Sequence, residues 1–350
     1  MRSQTGFPVK ILILKPSSLG DVVQALPVAR LLRQHFTRAE IHWWANREFI
    51  PLLEHDPDIA KVIPFDRHRW GKPSGWPMAF DIVQEMRQQH YDWVIDLQGL
   101  ARSALVGWFA SGTMTIGLED HREGAPAFYD QAVPRPSRQA HAVDWYLEVL
   151  KTLRVPVHFQ FEWLPVQPDA QTVVEAIWPH HGGPWVGLQP GARWLNKRWP
   201  AESFAEVAQG LLASNPNLRI AVLGGASDRP LGEFITQKVG PRCHDLTGRL
   251  TLPSMVAWLK RCSLLITNDT GPMHVAAALG TPLVALFGPT DPAHTGPYGQ
   301  PEAVLRLDIQ CSPCQTPTCH FQEPMACLRR LSVTQVLEAA RRRLLTPRIR

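Results

Sequence analysis

The sequence predicts an α/β protein of two parallel-sheet domains, and three observations carry the prediction. Its 350 residues exceed the size at which one hydrophobic core usually stops growing, so two domains are expected. Apolar runs of strand length alternate with helix-length segments in both halves, the order that right-handed crossovers turn into a parallel sheet. In each half a strand runs into a polar, glycine-containing turn that opens a helix, and ligands bind at such strand ends in open α/β sheets.

Val9 to Leu14 is a β-branched, leucine-rich strand ending at Lys15. Ser17, Ser18, Gly20 and Asp21 form the turn, and a helix follows from Val22 towards Gln34. Ile41 to Ala45 and Lys61 to Phe65 read as further strands, Met78 to Gln89 as a helix, Asp92 to Leu97 as a strand, with a helix beginning near Arg102. Between them, Asp66 to Trp76 is too polar for the core. Its Arg67, Arg69 and Lys72, set beside two tryptophans, read as an anion-binding loop over the mouth of a site; the plainer alternative is a mobile surface loop. His141 to Leu153 is helical, and the proline- and aromatic-rich stretch Arg154 to Pro168 reads as a linker.

A second alternation then begins. Trp185 to Leu188 is a strand, Pro200 to Ala213 a helix opened by proline, Arg219 to Leu223 a strand, and Arg229 to Val239 a helix. A helix ending at Arg261 precedes a β-α-β unit made of Leu264 to Thr267, Thr270 to Ala278 and Leu283 to Phe287, and Val304 to Leu307 is a last strand. Asn268, Asp269, Thr270 and Gly271 therefore sit at the carboxyl end of a buried strand. The helix start adds free N–H groups and a positive dipole end that suit a phosphate, and His274 lies one turn along the same face as Thr270. Asp269 or Thr270 as an ordinary N-cap explains the same pattern about equally well when taken alone. The similar turn upstream favours a ligand, and a nucleotide diphosphate fits. Gly191 to Pro200, again between strand and helix, places Arg193 and Lys197 where they could clamp a pyrophosphate. The domains are expected at 1–165 and 166–331. The amphipathic helix and basic tail of 332–350 are expected to return to the first domain.

Composition narrows the function. Hydrophobic residues at 45% and charged ones at 19% describe a soluble globular protein. No apolar run reaches the roughly 18 residues of a membrane span, and the N-terminus lacks a signal peptide's apolar core, so a cytoplasmic location is expected. G-x-S-x-G, H-E-x-x-H, Walker A and G-x-G-x-x-G signatures are absent. The net charge of +5, with Arg341, Arg342, Arg343, Arg348 and Arg350 in the tail, would attract nucleic acid, an anionic membrane face or phosphorylated substrates. Four of six cysteines, Cys311, Cys314, Cys319 and Cys327, crowd into one loop beside His320. That spacing allows a structural zinc site, and a packed loop of reduced thiols is the alternative.

Several motifs occur in order along nearly the whole chain: Lys15-x-Ser-Ser-Leu-Gly-Asp21, Lys197-x-Trp-Pro200, Leu223-Gly-Gly-Ala226, Leu246-Thr-Gly248, Asp269-Thr-Gly-x-x-His274 and Phe287-Gly-Pro-Thr-Asp291. As a set they resemble the ADP-heptose–lipopolysaccharide heptosyltransferases of glycosyltransferase family 9, most of all heptosyltransferase I. The resemblance implies the GT-B fold, two Rossmann-like domains facing across a cleft, with no metal required for catalysis and inversion at the anomeric carbon. It implies transfer of heptose from ADP-heptose onto the Kdo or inner core of a lipid A–linked acceptor, at the cytoplasmic surface of the inner membrane and without nucleic acid. By position, Asp21 matches the catalytic base; Ser18 and Gly20 match the turn that holds it and are grouped with the donor contacts. Lys197 matches the lysine on the donor phosphates, and Asp269, Thr270, Gly271 and His274 match the donor-binding turn. Leu250 falls where adenine meets backbone, and Arg193 joins the donor contacts by its place beside Lys197. Arg67, Arg69 and Lys72 resemble the region that meets anionic Kdo. The glutamate that contacts ribose is replaced here by no obvious acid, Asp228 being the nearest. A transferase acting on a later core acceptor or with another nucleotide sugar, and an inactive nucleotide-sugar-binding protein, are the alternatives.

Overall fold

A computed structural model describes residues 9–120, 122–177 and 183–345. Within them the chain forms two compact units that divide between Pro165 and Val166. In the first, β1 (Lys10–Leu14), β2 (Glu40–Asn46), β3 (Lys61–Phe65), β4 (Trp93–Asp96), β5 (Met114–Leu118) and β6 (Gln131–Val133) form one sheet in the order β3-β2-β1-β4-β5-β6. In the second, β7 (Trp185–Gln189), β8 (Arg219–Val222), β9 (Cys243–Asp245), β10 (Leu264–Asn268), β11 (Leu283–Phe287) and β12 (Val304–Arg306) follow the order β12-β11-β10-β7-β8-β9. All ten strand pairings are parallel. Each unit is thus doubly wound and reverses its strand order between its first and fourth strands, β1/β4 and β7/β10.

The central strands are apolar because helices cover both faces. β7, β10 and β11 are buried at every residue, and β1 at all but Lys10. In the first unit the helices Trp76–Gln88 and Ala101–Ala110 lie side by side, and Met86, Val106 and Ala110 pack with Leu12, Leu14, Trp44 and Val94, joined by half-buried Ile82 and Val83. The helices Leu19–His35 and Ala142–Thr152 pair with each other.

Several elements escape the periodicity reading for physical reasons. β6 and β9 have three residues each, too short for a period. β5 is interrupted by Gly117, whose backbone is covered by the Tyr129 ring so closely that a Cβ would lie 2.2 Å from it. The expected linker in fact passes into the helix Pro168–Ile177, and the polar loop after β3 contains a helical turn, Arg67–Trp70, capped by Asp66.

The C-terminal helix Val333–Leu344 does not return to the first unit. Val336, Ala339 and Ala340 belong to the core formed by Val186, Leu188, Ile266 and Leu286 of the second sheet. Leu337 meets the helix Ala201–Ser214 at Gly210, where a Cβ would come within 2.8 Å of it. The basic tail is partly structural: Arg343 is buried and donates to Leu283 O at 3.2 Å, Glu302 at 2.7 Å and Gln300, while Arg341 donates to Ser214 Oγ at 2.7 Å. Arg348 and Arg350 lie outside the described residues.

A buried ion pair ties the first unit together. Arg30, on the helix Leu19–His35, donates to both oxygens of Asp56 and to Asp58 at 2.7 Å, and to the Trp163 carbonyl at 3.3 Å. Trp163 Nε1 donates back to Val23 O at 2.7 Å. Because Arg30 and Asp56 are both buried, Arg30→Ala leaves a carboxylate without its cation and should lower unfolding stability by about 3–5 kcal/mol. Urea titration of the two proteins measures the loss; a difference below about 1 kcal/mol would mean that Asp56 is neutral or hydrated in place.

Candidate active site

Both strand-order reversals carry polar clusters at the carboxyl ends of their strands. At β1/β4 the chain turns at Ser18, the N-cap of the helix Leu19–His35. Asp21, in the first helical turn, accepts from Ser18 N at 2.8 Å and Ser18 Oγ at 2.7 Å, which fixes its carboxylate across the helix start. Gly20 is buried. Lys15, at the end of β1, is almost fully buried and donates to Leu97 O at 2.8 Å, with its ammonium 4.8 Å from the Tyr146 ring centre. Burial alone would lower the Lys15 pKa, but Tyr146, Asp21 and Asp96 outweigh it and hold the ammonium above its ordinary range. Asp96 closes β4 and is completely buried. It accepts from Gln98 N at 2.8 Å, Gly99 N at 3.1 Å and the Tyr129 hydroxyl at 2.7 Å. Burial pushes its carboxyl up, against these hydrogen bonds and one from Ser103.

At β7/β10 the second cluster forms. Lys197 Nζ lies 2.6 Å from Asp269 Oδ2, which also accepts from Thr290 Oγ1 at 2.6 Å, and the same ammonium stands 4.7 Å from the Trp194 ring centre. Asp269 is buried and Lys197 half-buried. Asn268, the last residue of β10, fastens the turn after β7: its Nδ2 donates to Pro190 O at 2.8 Å and its Oδ1 accepts from Trp199 N at 3.1 Å. Thr270 caps the helix Gly271–Ala278, and His274 is buried within it.

The structure brings Lys197, Asp269, Thr270 and Gly271 to one strand end, with His274 one turn along the helix. Arg193, on the same turn as Lys197, is exposed, and half-buried Leu250 follows β9 at the same end of the sheet. Ser18 and Gly20, grouped by sequence with the donor contacts, lie instead in the first unit around Asp21. Arg67 and Arg69 occupy the helical turn capped by Asp66, with Lys72 just beyond, and all three are exposed. Asp228 is turned inward: it accepts from Gly225 N at 3.1 Å and presses so closely on Gly191 that a Cβ there would lie 2.4 Å from its carboxylate. Sequence reasoning gave no individual role to Lys15, Asp96 or Thr290, and it placed Asn268 in the polar turn without its fastening contacts. The signal was available for two of them, since Lys15 and Asp96 are the charged residues that end apolar strands.

The structure gives no support to the zinc reading of the cysteine loop. Among the described residues no group of three or more His, Cys, Asp or Glu side chains could hold a metal ion. Cys327 is buried beside Gly288 and Leu328, Cys314 is exposed, and Cys319 Sγ accepts from Met325 N at 3.3 Å. Burial, then the neighbouring Cys311, Cys319 and Cys314, push the Cys327 thiol up to about 11, so it stays protonated.

Two doubly wound parallel sheets in tandem, each with its polar cluster at the strand-order reversal, make up an α/β fold of the GT-B type. Over residues 79–324 the chain matches glycosyltransferase family 9 (heptosyltransferase), and it belongs to that family. It is 29% identical over 323 residues to lipopolysaccharide heptosyltransferase 1 of Pseudomonas aeruginosa, covering 90% of this chain and 88% of that one. It is similar to the structure of E. coli ADP-heptose lps heptosyltransferase II, with TM-score 0.76 and 25% identity over 96% of this chain and 99% of the other. The family 9 glycosyl transferase of Veillonella parvula superposes with TM-score 0.80 at 25% identity, covering 96% and 97%.

The buried Asp96 carboxyl gives a pH test of the first cluster. Because its folded pKa is raised, its contribution to stability is full below the unfolded value, near 4, and is lost as pH rises through the folded value. The stability of the parent relative to Asp96→Asn should therefore fall as pH goes from about 4 to 7. Urea unfolding of both proteins across that window measures it, and a difference that stays flat or grows would mean that the carboxyl is not raised.

Proposed function

We propose that this chain is an inverting transferase that moves heptose from ADP-heptose onto the Kdo or inner core of lipid A–linked lipopolysaccharide. The observation that carries the reading is the Lys197–Asp269–Thr290 cluster at the start of the helix Gly271–Ala278, paired in the same chain with a carboxylate at the other strand-order reversal. Breaking a sugar–pyrophosphate bond builds negative charge on the departing diphosphate, and fixed cations and helix N–H groups stabilise it best when they are already in place. Asp269 and the Trp194 ring hold the Lys197 ammonium beside that helix start. The remaining N–H bonds of the ammonium would meet the phosphates, with Arg193, Thr270, Gly271 and His274 completing the donor site and Leu250 the base site.

In the first unit Asp21 is the proposed base. Ser18 orients it, the helix dipole favours its charged form, and the Lys15 ammonium adds a fixed positive charge nearby. The exposed Arg67, Arg69 and Lys72 suit an acceptor rich in carboxylates and phosphates. ADP-heptose appears in the name of the E. coli relative, and the P. aeruginosa relative is named heptosyltransferase 1; both support this reading. Addition to Kdo is favoured over a later core sugar because the basic turn follows the pattern of the first enzyme. No helix among the described residues is long and apolar enough to cross a membrane, and the proposed location is the cytoplasm, peripheral to the inner membrane. Incubation with ADP-heptose and Kdo-lipid A, read by product mass, tests the whole reading: one added heptose supports it, and no product, or product only from a heptosylated acceptor, overturns the assignment to Kdo.

Two substitutions separate the roles. Lys197→Ala should weaken ADP binding and lower turnover, with a combined loss of about 1.5–3 kcal/mol in kcat/KM, since the charge-assisted bond exists in the ground state and strengthens as the leaving group ionises. Unchanged ADP affinity in calorimetry together with unchanged kcat would remove Lys197 from the site. Asp21→Asn keeps the capping geometry but cannot take the proton, so kcat should drop about 10²–10⁴-fold while ADP affinity and melting temperature hold. Turnover within a few-fold of the parent would make Asp21 a helix cap only.

A further inference from the structure

Among the described residues, the large exposed apolar side chains are not scattered. Five of the nine lie on two neighbouring helices of the first unit: Trp76 and Phe80, each 62% exposed, on Trp76–Gln88, and Leu105, Trp108 and Phe109, at 39%, 56% and 47%, on Ala101–Ala110. Trp76 and Phe80 are four residues apart, as are Leu105 and Phe109, so each set lines one side of its helix. The inward sides are filled by Ile82 and Met86, with Val83 at the margin beside Trp76, and by Val106 and Ala110, packed on the sheet. Both helices connect strands that step the same way along the sheet, β3 to β4 and β4 to β5, so right-handed crossovers set them in one layer, where they touch. Their outer sides share a direction. Trp108 and Phe109 stack edge to face at 4.9 Å, without burying either ring.

Cations border this face at one end. Arg69 and Lys72 lie in the turns that lead into Trp76, and Arg102 begins the second helix; all are exposed. Arg102 stands 5.9 Å from the Phe65 ring centre, and Trp70 packs edge-on against the same ring at 5.1 Å, which gathers the two basic segments around Phe65. The acids nearby are fewer than the cations they face: Asp66 caps the basic turn, Glu85 pairs with Lys61, Glu123 accepts from Ala101 N at 3.1 Å at the second helix start, and Asp81 is exposed. The helix starts are also the carboxyl end of the sheet, where Asp21 lies.

We infer that this aromatic face, with its basic border, is the surface by which the enzyme docks on an anionic lipid bilayer. Exposed tryptophan and phenylalanine beside arginine and lysine match the acyl boundary and the anionic headgroup layer together, and a purely polar partner would leave the rings without a function. Seated this way, the end of the sheet that carries Asp21 lies along the headgroups. The inference rests on the reading of a lipid-linked acceptor and names the surface that reaches it; the described arginines of the C-terminal helix are a weaker candidate, because Arg343 and Arg341 are bonded within their own unit.

The test uses the full chain and vesicles of phosphatidylcholine with or without about 30% phosphatidylglycerol. The parent should sediment with the anionic vesicles and lose binding as salt rises. Replacing Trp76, Phe80, Trp108 and Phe109 together by Ser should weaken vesicle binding at least about tenfold, while transfer from ADP-heptose to a water-soluble, delipidated acceptor and the melting temperature stay at the parent level. As a second probe, Trp76→Phe with Trp108→Phe should still bind but lose the part of the emission that brominated phosphatidylglycerol quenches. A parent that stays in the supernatant, a Ser variant that binds as well as the parent, or a parent dimer that the Ser substitutions dissolve would overturn the inference, the last assigning the face to a second copy. Absence of transfer to the soluble acceptor in the parent would instead remove the reading of function, leaving the vesicle result to stand by itself.

Discussion

The constraint on which the rest depends is the reversal of strand order inside each parallel sheet. Right-handed crossovers force the connections of β1 and β4, and of β7 and β10, to opposite faces, which leaves the carboxyl ends of those strands uncovered by their own helices. Backbone N–H groups at the following helix starts then point into the same gap. Buried polar residues elsewhere in the core, such as Arg30 with Asp56 and Arg343 with Gln300, are paired within the fold, whereas those at the reversals line the gap. Lys15, Asp21 and Asp96 gather at one reversal, and Lys197, Asn268 and Asp269 at the other. An apolar strand can end in a buried charge only where a partner or a fixed dipole meets it, and these two places provide both.

The charges at the two reversals are held in different ways. Lys197 is paired directly with Asp269, and Thr290 donates to the same carboxylate, so the ammonium is fixed in direction. Lys15 donates to the Leu97 carbonyl and stands over the Tyr146 ring; it is held by a field in which Tyr146, Asp21 and Asp96 together outweigh desolvation. Asp96 in turn is surrounded by donors and still stays above the ordinary carboxylate range because burial dominates. A direct pair sets geometry, whereas a cluster sets potential. The proposed roles follow that difference, since a phosphate clamp must be aimed and a base must be kept charged.

Most of the fold was legible because parallel strands buried on both faces read as unbroken apolar runs. Val9 to Leu14, Leu264 to Thr267 and Leu283 to Phe287 came within a residue of β1, β10 and β11. What escaped were the edge strands β6 and β9 and local exceptions: β9 is Cys-His-Asp, a pattern with no apolar period, and β5 needs Gly117 because the Tyr129 ring takes the place of a side chain there. At the site, Asp21, Lys197 and Asp269 were legible as polar residues at strand-to-helix turns. Asn268 was legible as part of that turn, but its fastening role and that of Thr290 were not, because they lie in contacts 69 and 21 residues distant along the chain. Asp228 shows the converse: the nearest acid by sequence is turned towards Gly191 and Gly225, a fact that spacing does not carry.

The placement of arginine corrects what net charge suggests. A chain of +5 with an arginine-rich end looks as though its basic tail seeks an anionic partner. Arg343, however, satisfies carbonyl and carboxylate groups around β11 and is buried there, and Arg30 does the same for Asp56 and Asp58 in the first unit. Such arginines are neutralised within the fold and contribute little to the field a partner meets. Arg67 and Arg69 sit on an exposed turn with one carboxylate, Asp66, which Arg69 at 3.6 Å and Arg47 at 3.9 Å share with two backbone N–H groups, so the turn keeps more positive than negative charge. Charge that attracts a partner is therefore the part left over after internal pairing. Among the described residues, part of that remainder lies in the turn after β3 and at the start of the helix Ala101–Ala110, next to the exposed aromatic face and at the same sheet end as Asp21. An anionic headgroup layer would be drawn to that end first, and the rings beside it would then find the acyl boundary.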